Sequence, residues 1–322
     1  MKHFDVFNGD ADGIVSLLQL RLAEPRNAEL VTGIKRDISL VKNIDILDLT
    51  ESSQVTILDI SMEKNGEALQ KVLRTGANVF YADHHRPGDV PSRENLEAQI
   101  DLDANTCTAL IVDKFLCGRF RYWAIVAAYG DNLIQVADKL ALESGLSAVE
   151  AEKLKELGTL INYNGYGAAI EDLAYHPADL FISLLKYKSP FDCIEDQDSA
   201  YHVLKKAFAS DFNKAESADV LSNSELCKAV LLEDAAWSRR ISGTFGNHLA
   251  NLSPSRAHLV VTTVDEDNYL ISLRAPLNNK IGAGDICSRF DTGGGRAGAA
   301  GINLLPKAQL SNLLQAVEEY YS

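Results

Sequence analysis

Asp5-Val6-Phe7-Asn8-Gly9-Asp10-Ala11-Asp12-Gly13 (residues 5–13) reads as a short strand that runs straight into a turn carrying two carboxylates. Residues 5–7 form the strand, and Ile14 to Ala23 continues with helical periodicity. Gly13 permits a tight entry into that helix, whose N-terminal amides and dipole favour an anionic ligand. In an extended tail the side chains at i and i+2 point the same way, so Asp10 and Asp12 are expected to face one cation pair. The same residues also fit a plain Asp-capped strand-to-helix loop.

The pattern recurs downstream. Glu29 to Gly33 reads as a strand, and the run Val55-Thr56-Ile57-Leu58 ends on Asp59, with a helix over Gly66 to Leu73. Val79 to Ala82 is the next strand and ends on Asp83-His84-His85. Thr106 to Leu116 and Tyr122 to Leu133 read as helices, the second carrying Gly130-Asp131. Strands alternating with helices imply an α/β domain with a parallel sheet and right-handed crossovers. Ligands of such sheets bind at the carboxyl ends of the strands. Imidazole suits Mn, Fe or Zn, carboxylates suit Mn and Mg, and a pair of divalent cations can activate water against a phosphate ester. Singly, Asp59 and Asp131 also read as helix caps or solvated ends, and the paired histidines as loop residues. Four such fragments, each at the end of a strand or helix, together favour a metal site.

The 322 residues exceed one typical domain and suit two. Hydrophobic residues make up 46% and charged ones 24%, enough for a full core. A formal net charge of −14 opposes a general nucleic-acid coat role, yet a few arginines and metals in one cleft can still bind a small anion. The five cysteines (Cys107, Cys117, Cys193, Cys227, Cys287) are scattered and form no C-x-x-C pair, so none is assigned to a metal and a reduced, cytoplasmic chain is expected. No apolar run resembles a signal peptide or approaches the roughly 20 residues of a membrane span, so no membrane role is expected.

Three segments are expected: residues 1–135, the parallel-sheet domain; 136–250, a mostly helical connector; and 251–322, a smaller α/β domain. In the connector, Leu140 to Leu160 reads as one helical stretch with Ser147 and Glu150 spaced as a capping box. His202 to Ala209 and Ser224 to Trp237 read as amphipathic helices, and Pro177 and Pro190 as breaks. From Ala257, strands over His258 to Val264 and Tyr269 to Arg274 flank an acidic turn, Asp265 to Asn268. A short helix near Ile286, a glycine cluster over Gly293 to Gly301 and a last helix over Ala308 to Tyr320 follow. An active-site cleft is expected between the two lobes. The connector is compatible with a homodimer surface or with a simple spacer.

With its fragments in this order the chain resembles the DHH family of phosphoesterases, named for the motif seen here as Asp83-His84-His85. The resemblance implies two divalent cations, Mn²⁺ first and Mg²⁺ as the alternative. By resemblance, Asp10 and Asp59 serve one cation, and Asp12, Asp59, His84 and Asp131 the other. His85 would contact the phosphate and protonate the leaving oxygen, and Asp83 would orient a ligand. The family usually completes the first cation set with a His four residues before the first aspartate or an Asp two before it. Here those positions are Val6 and Asn8. Asn8 offers only a neutral carbonyl oxygen, so the first set is expected to bind more weakly or to be partly empty.

The run Gly293-Gly294-Gly295-Arg296-Ala297-Gly298-Ala299-Ala300-Gly301 is similar to the G-G-G-H-x-x-A-A-G signature of the DHH-associated C-terminal domain, with Arg296 in place of its His. The resemblance implies substrate binding by Gly293, Gly294, Gly295 and Arg296, and by Arg274 at the end of its strand. Tight turns and a solvent-facing arginine are the plain alternatives. The resemblance covers residues 1–135 and 255–305, and the segment Leu160 to Gly165 is similar to part of the connector in the exonuclease branch. It implies hydrolysis of a phosphate ester of a short nucleotide: a di- or oligonucleotide, a cyclic dinucleotide or a nucleoside bisphosphate. Polyphosphate or pyrophosphate hydrolysis is one alternative, and a nucleotide-binding sensor that has lost turnover is another.

Overall fold

Residues 4–7 of the strand His3–Phe7 (β1) are buried, so both faces of this strand must be covered by other elements. The computed structural model, which describes residues 2–322, divides into two compact units, Met1–Lys206 and Ala207–Ser322.

In the first unit β1 leads into α1 (Ala11–Ala23) and β2 (Glu29–Val31). Then come β3 (Gln54–Leu58), α2 (Met62–Arg74), β4 (Asn78–Asp83) and β5 (Leu96–Ile100). Helices follow as α3 (Thr108–Phe115), α4 (Arg121–Gly130), α5 (Ile134–Glu143), α6 (Ala148–Asn164), α7 (Pro177–Leu184) and α8 (Pro190–Glu195), and α9 (Ala200–Glu216) runs across the boundary into the second unit. The five strands form one parallel sheet in the order β2-β1-β3-β4-β5. On one side α2 closes a core that includes Phe4, Val6, Ile57, Leu69, Val72, Val79 and Tyr81. Helix α1 is buried along almost its whole length, so it carries no polar stripe and packs against α3 and α4.

Two constraints fix α1. Arg21 on its last turn donates to both carboxylate oxygens of Asp5 on β1, at 2.7 and 2.6 Å, and to Thr56 Oγ1 on β3 at 2.8 Å. Both charged side chains are almost fully buried. At the other end, a Cβ on Gly13 would fall on the backbone of Asn8, so only glycine lets the strand exit and the helix start approach each other. Helices α4 and α6 likewise meet at Gly158, whose missing Cβ leaves room for the Val126 carbonyl.

The helical stretch expected over Leu140 to Leu160 is divided in the structure. Two helices, α5 and α6, meet at Gly145, whose φ of 77° is accessible to glycine at little cost. The Ser147–Glu150 capping box is formed, and it starts α6. Strand β5 had no clear sequence signal because its half-exposed Leu-Glu-Ala-Gln-Ile pattern lies at the sheet edge.

In the second unit β6 (Asp219–Asn223), β7 (Cys227–Leu232), α10 (Ala236–Leu252), β8 (Ala257–Thr263) and β9 (Asn268–Arg274) precede α11 (Ala283–Cys287), β10 (Gly293–Gly295), β11 (Ala299–Pro306) and α12 (Leu310–Tyr321). Six strands form a second sheet in the order β10-β11-β9-β8-β7-β6. The helix expected over Ser224 to Trp237 is therefore corrected: residues 227–232 are a strand paired in parallel with β8. Its Cys-Lys-Ala-Val-Leu-Leu run suits either state by periodicity. Pairing buries Cys227 and Ala229 in a core with Leu259, Val261, Ile271 and Leu273, and that decides it. The unit thus begins well before residue 251.

The Asp5–Arg21 pair yields a stability prediction. Arg21→Ala strands a buried carboxylate and should lower unfolding free energy in urea by about 3–5 kcal/mol. Pairing Asp5→Leu with Arg21→Met should recover most of that loss. A loss below about 1 kcal/mol for Arg21→Ala would show that the pair does not hold α1 in place.

Candidate metal centre

Each acidic motif residue sits at or near the end of its element, and the carboxylates of Asp10 and Asp12 accept backbone amides. Asp10 is the N-cap of α1, and its Oδ1 accepts from the amides of Asp12 (3.0 Å) and Gly13 (3.1 Å). Asp12 lies inside the first turn of α1. The expected extended i, i+2 geometry is thus corrected, because the helix starts at Ala11. Asp12 reaches instead to the N-terminus of α3, where its Oδ2 accepts from the Thr108 amide at 2.8 Å and its Oδ1 from the Ala109 amide at 2.7 Å. Cys107, the N-cap of α3, provides no side-chain cap, so Asp12 caps that helix from 96 residues away.

Asp59 follows β3 with φ of 57°, a left-handed conformation that costs a non-glycine residue about 1–3 kcal/mol. Its amide donates to the Ala82 carbonyl at 3.1 Å, and its Oδ1 accepts from Thr108 Oγ1 at 3.1 Å. Asp83, fully buried at the end of β4, pairs through Oδ1 with His85 Nδ1 at 2.7 Å. His84 Nδ1 lies 3.2 Å from the Thr106 carbonyl, which can only accept. Nδ1 therefore donates to that carbonyl, which leaves Nε2 as the ring atom turned toward the aspartates and available to a cation. That Nε2 is 3.5 Å from Asp59 Oδ1 and 3.8 Å from Asp12 Oδ2. Asp131 caps the C-terminus of α4. Ligand atoms of Asp12, His84 and Asp131 lie within 4.8 Å of one another, and so do those of Asp59, His84 and His85.

The first set differs. Asp10 Oδ2 is 2.6 Å from the ammonium of Lys35, a residue that no motif marked in the sequence. Lys35 Nζ also donates to Asn162 Oδ1 at 3.0 Å, sits 5.5 Å from the Tyr166 ring centre and lies 3.9 Å from Asp131 Oδ1. Asn8 Oδ1 accepts from the Asp10 amide and its Nδ2 donates to the Lys35 carbonyl, both at 3.2 Å.

Electrostatics separates these carboxyls. Burial, then the charges of Asp12, Asp10, Asp131 and Asp83, pushes Asp59 well above the usual range. Burial and then Asp12 push Asp131 up to about 6, against the pull of Lys35. Burial opposes ionisation of Asp10, but Lys35 outweighs it and holds that carboxyl low. Burial likewise disfavours the Lys35 ammonium, yet Asp10, Tyr166 and Asp131 keep it charged well above the usual range. The hydrogen bond to Asp83 raises His85. Burial and then Asp12 raise Cys107, whose thiol stays neutral. Oxygen donors and one imidazole whose Nε2 faces them suit a divalent cation such as Mn²⁺.

Residues 224–322 match the DHHA1 domain family. No curated protein sequence matches the chain significantly. Among solved structures, RecJ from Thermus thermophilus, in complex with Mn²⁺, aligns over 99% of this chain and 52% of its own at 16% identity and a TM-score of 0.60. The chain therefore spans about half the length of that protein. A second exonuclease RecJ, bound to manganese, aligns over 99% of this chain and 90% of its own, at 17% identity and a TM-score of 0.54. PggH, a pGpG-specific phosphodiesterase from Vibrio cholerae, aligns over 100% and 99%, at 12% identity and a TM-score of 0.53. Residues 224–322 carry a DHHA1 domain, and the chain shares its fold with the two RecJ structures and PggH.

In the DHHA1 domain, the residues expected to bind substrate gather at one end of the sheet. Arg274 pairs with Ala299, and Gly294 and Gly295 pair with Gly301 and Ala300 on the same strand, β11. Arg274 donates to Asn247 Oδ1 at 2.6 Å, Ser272 Oγ at 3.0 Å and the Gly243 carbonyl at 3.1 Å, so it braces β9 against α10. Arg296 is exposed, and its amide donates to the Ala299 carbonyl at 2.9 Å. Gly293 and Gly294 are half-buried in β10, and Gly295 has φ of 146°.

Sequence reasoning missed Lys35, Thr108, Asn162 and Tyr166. Only Asn162 carried any signal, through the segment Leu160 to Gly165, which closes over the site: Gly165 lies against Asp10, and its carbonyl accepts the Lys35 amide at 2.9 Å.

Asp131 sets a pH dependence. Its folded-state value of about 6 exceeds the roughly 3.9 of an unfolded aspartate. The stability it contributes to the metal-free chain is therefore full below about pH 4 and lost as pH rises through 6. Asp131→Asn should flatten the metal-free Tm profile across that window. A cation held by Asp131 would displace the same proton, so Mn²⁺ affinity should then fall at least about tenfold per pH unit below pH 6. Calorimetric titration at pH 5, 6 and 7.5 checks the second point, and a pH-independent affinity would refute it.

Proposed function

We propose that the chain is a metal-dependent phosphoesterase acting on a short nucleotide. The observation that carries the reading is the convergence of Asp12, Asp59, His84 and Asp131 beside the His85–Asp83 pair. A divalent cation held by the first four residues would supply Lewis acidity, drawing charge from phosphoryl oxygens and making water a better nucleophile.

The chain's own residues do the rest. Asp83 fixes the His85 ring through Nδ1 and favours the imidazolium, so His85 Nε2 is poised to give a proton to the leaving oxygen. Its side chain is 42% exposed, which leaves it open to substrate. The Thr108 hydroxyl and the amides of α3 hold Asp59 and Asp12 in fixed orientations. Lys35 keeps Asp10 ionised and places a permanent positive charge near the reacting phosphate. In the DHHA1 domain, Arg296 and Gly293 to Gly295, with Arg274 behind them, are proposed to bind an anionic or base portion of the nucleotide.

A short substrate fits best. The net charge of −14 disfavours a long polyanion. PggH, which shares the fold over the whole length of both chains, acts on the dinucleotide pGpG.

With added Mn²⁺, a linear dinucleotide, a cyclic dinucleotide or a nucleoside 3′,5′-bisphosphate should be cleaved. Pyrophosphate and polyphosphate should not. Asp59→Ala should reduce turnover by at least about 10²-fold. Release of phosphate from polyphosphate alone would replace the nucleotide reading. Nucleotide binding with no turnover on any compound would leave a sensor instead.

The two histidines should separate. His84→Ala should weaken Mn²⁺ binding about 10- to 100-fold. His85→Ala should leave binding within a few-fold and lower kcat about 10²- to 10⁴-fold. Equal losses of metal affinity in both variants would make His85 a ligand and not the acid.

A further inference from the structure

We infer that Lys35 stands in place of a second cation, so that the site takes a single divalent ion on Asp12, Asp59, His84 and Asp131 while Asp10 is served by the chain's own ammonium. The inference rests on the metal-dependent reading above and specifies how the charge at that site is supplied.

The groups expected to hold another ion are already committed. Asp10 Oδ1 accepts two backbone amides of α1, at 3.0 and 3.1 Å, and Oδ2 takes the Lys35 ammonium at 2.6 Å. Asn8, the neutral residue that departs from the expected ligand, uses its carbonyl oxygen on the Asp10 amide and its NH₂ on the Lys35 carbonyl. The same asparagine that fails as a charged ligand thus helps to anchor the lysine.

The ammonium sits in a built seat. It has a second hydrogen bond to Asn162 Oδ1 at 3.0 Å, faces the Tyr166 ring at 5.5 Å and lies 3.9 Å from Asp131 Oδ1. Its backbone is held on both sides, the amide by Gly165 and the carbonyl by Asn8. A divalent ion placed on Asp10 would meet this fixed positive charge at close range in a buried site, where repulsion is poorly screened. Among the described residues, Asp59 and Asp12 accept from hydroxyl and amide donors and His84 faces a carbonyl, so no ammonium competes for them.

The test counts ions. The full chain, stripped with EDTA, is titrated with Mn²⁺ at pH 7.5 by calorimetry, with free Mn²⁺ followed by electron paramagnetic resonance. The wild type should bind one Mn²⁺ per chain. Asp10→Asn should leave that ion bound with affinity changed less than about threefold. Asp12→Asn should weaken it by about tenfold or more. Lys35→Ala should bind two, with a spin-coupled signal. Lys35→Arg should restore one, and circular dichroism checks that each variant folds. Two ions in the wild type, or one in a folded Lys35→Ala, would overturn the assignment to Lys35 while leaving the metal-dependent reading intact. No Mn²⁺ bound by the wild type would instead sink that reading itself.

Discussion

Too much negative charge in too little water is the constraint on which the first unit depends. Asp10, Asp12, Asp59 and Asp83 are buried at the carboxyl end of one parallel sheet, and Asp131 is only partly exposed beside them. Buried carboxylates this close cannot all ionise without positive partners. Asp10 has an ammonium and the start of α1. Asp12 has the amides that start α3, and Asp83 has an imidazole. Asp59 and Asp131 have least, and they are the two whose carboxyls are raised. That residual deficit is what a divalent cation can meet.

The fold creates the deficit because it must bring chain ends together. A parallel sheet sends every strand out at the same edge, and β1, β3 and β4 each deliver an aspartate there. Helices entering from that edge present amides to those aspartates, so Asp10 caps α1 and Asp12, a proposed cation ligand, caps α3. Removing the Asp12 carboxylate therefore also uncaps α3, so any metal binding by Asp12 is tied to stability through the same atoms. The left-handed backbone at Asp59 is another cost held by the surrounding packing. Behind the site, the buried Asp5–Arg21 pair ties α1 to β1 and keeps the cap in register.

The DHHA1 domain solves a different problem. Its sheet is mixed, with β7 and β8 parallel and its other pairs antiparallel, and its glycine run forms a hairpin strand rather than an open loop. Glycines at Gly293 and Gly295 are required by close backbone contacts with Cys287 and Ala300. The run is thus structural in part, and it leaves Arg296 exposed at its end. Arg274 is similarly tied to α10, which fixes the β9 end that borders the hairpin.

The sequence by itself determined the alternation of strands and helices in the first unit and the residues that crowd its sheet edge. Short apolar runs ending on Asp59 and on Asp83-His84-His85 are local signals, since burial and strand exit are written in neighbouring residues. It also showed Asn8 where a charged ligand was expected. Which group meets Asp10 was decided only by tertiary structure. Lys35 meets Asp10 across 25 residues of chain and Asn162 across 127, and no local pattern records such pairings. Asp12 acts as the cap of a helix 96 residues away, which its own D-x-D spacing did not reveal. Residues 227–232 became a strand because β8 was there to pair with them. Local propensity sets what a segment can be, and long-range burial and charge neutralisation select which of those states it adopts.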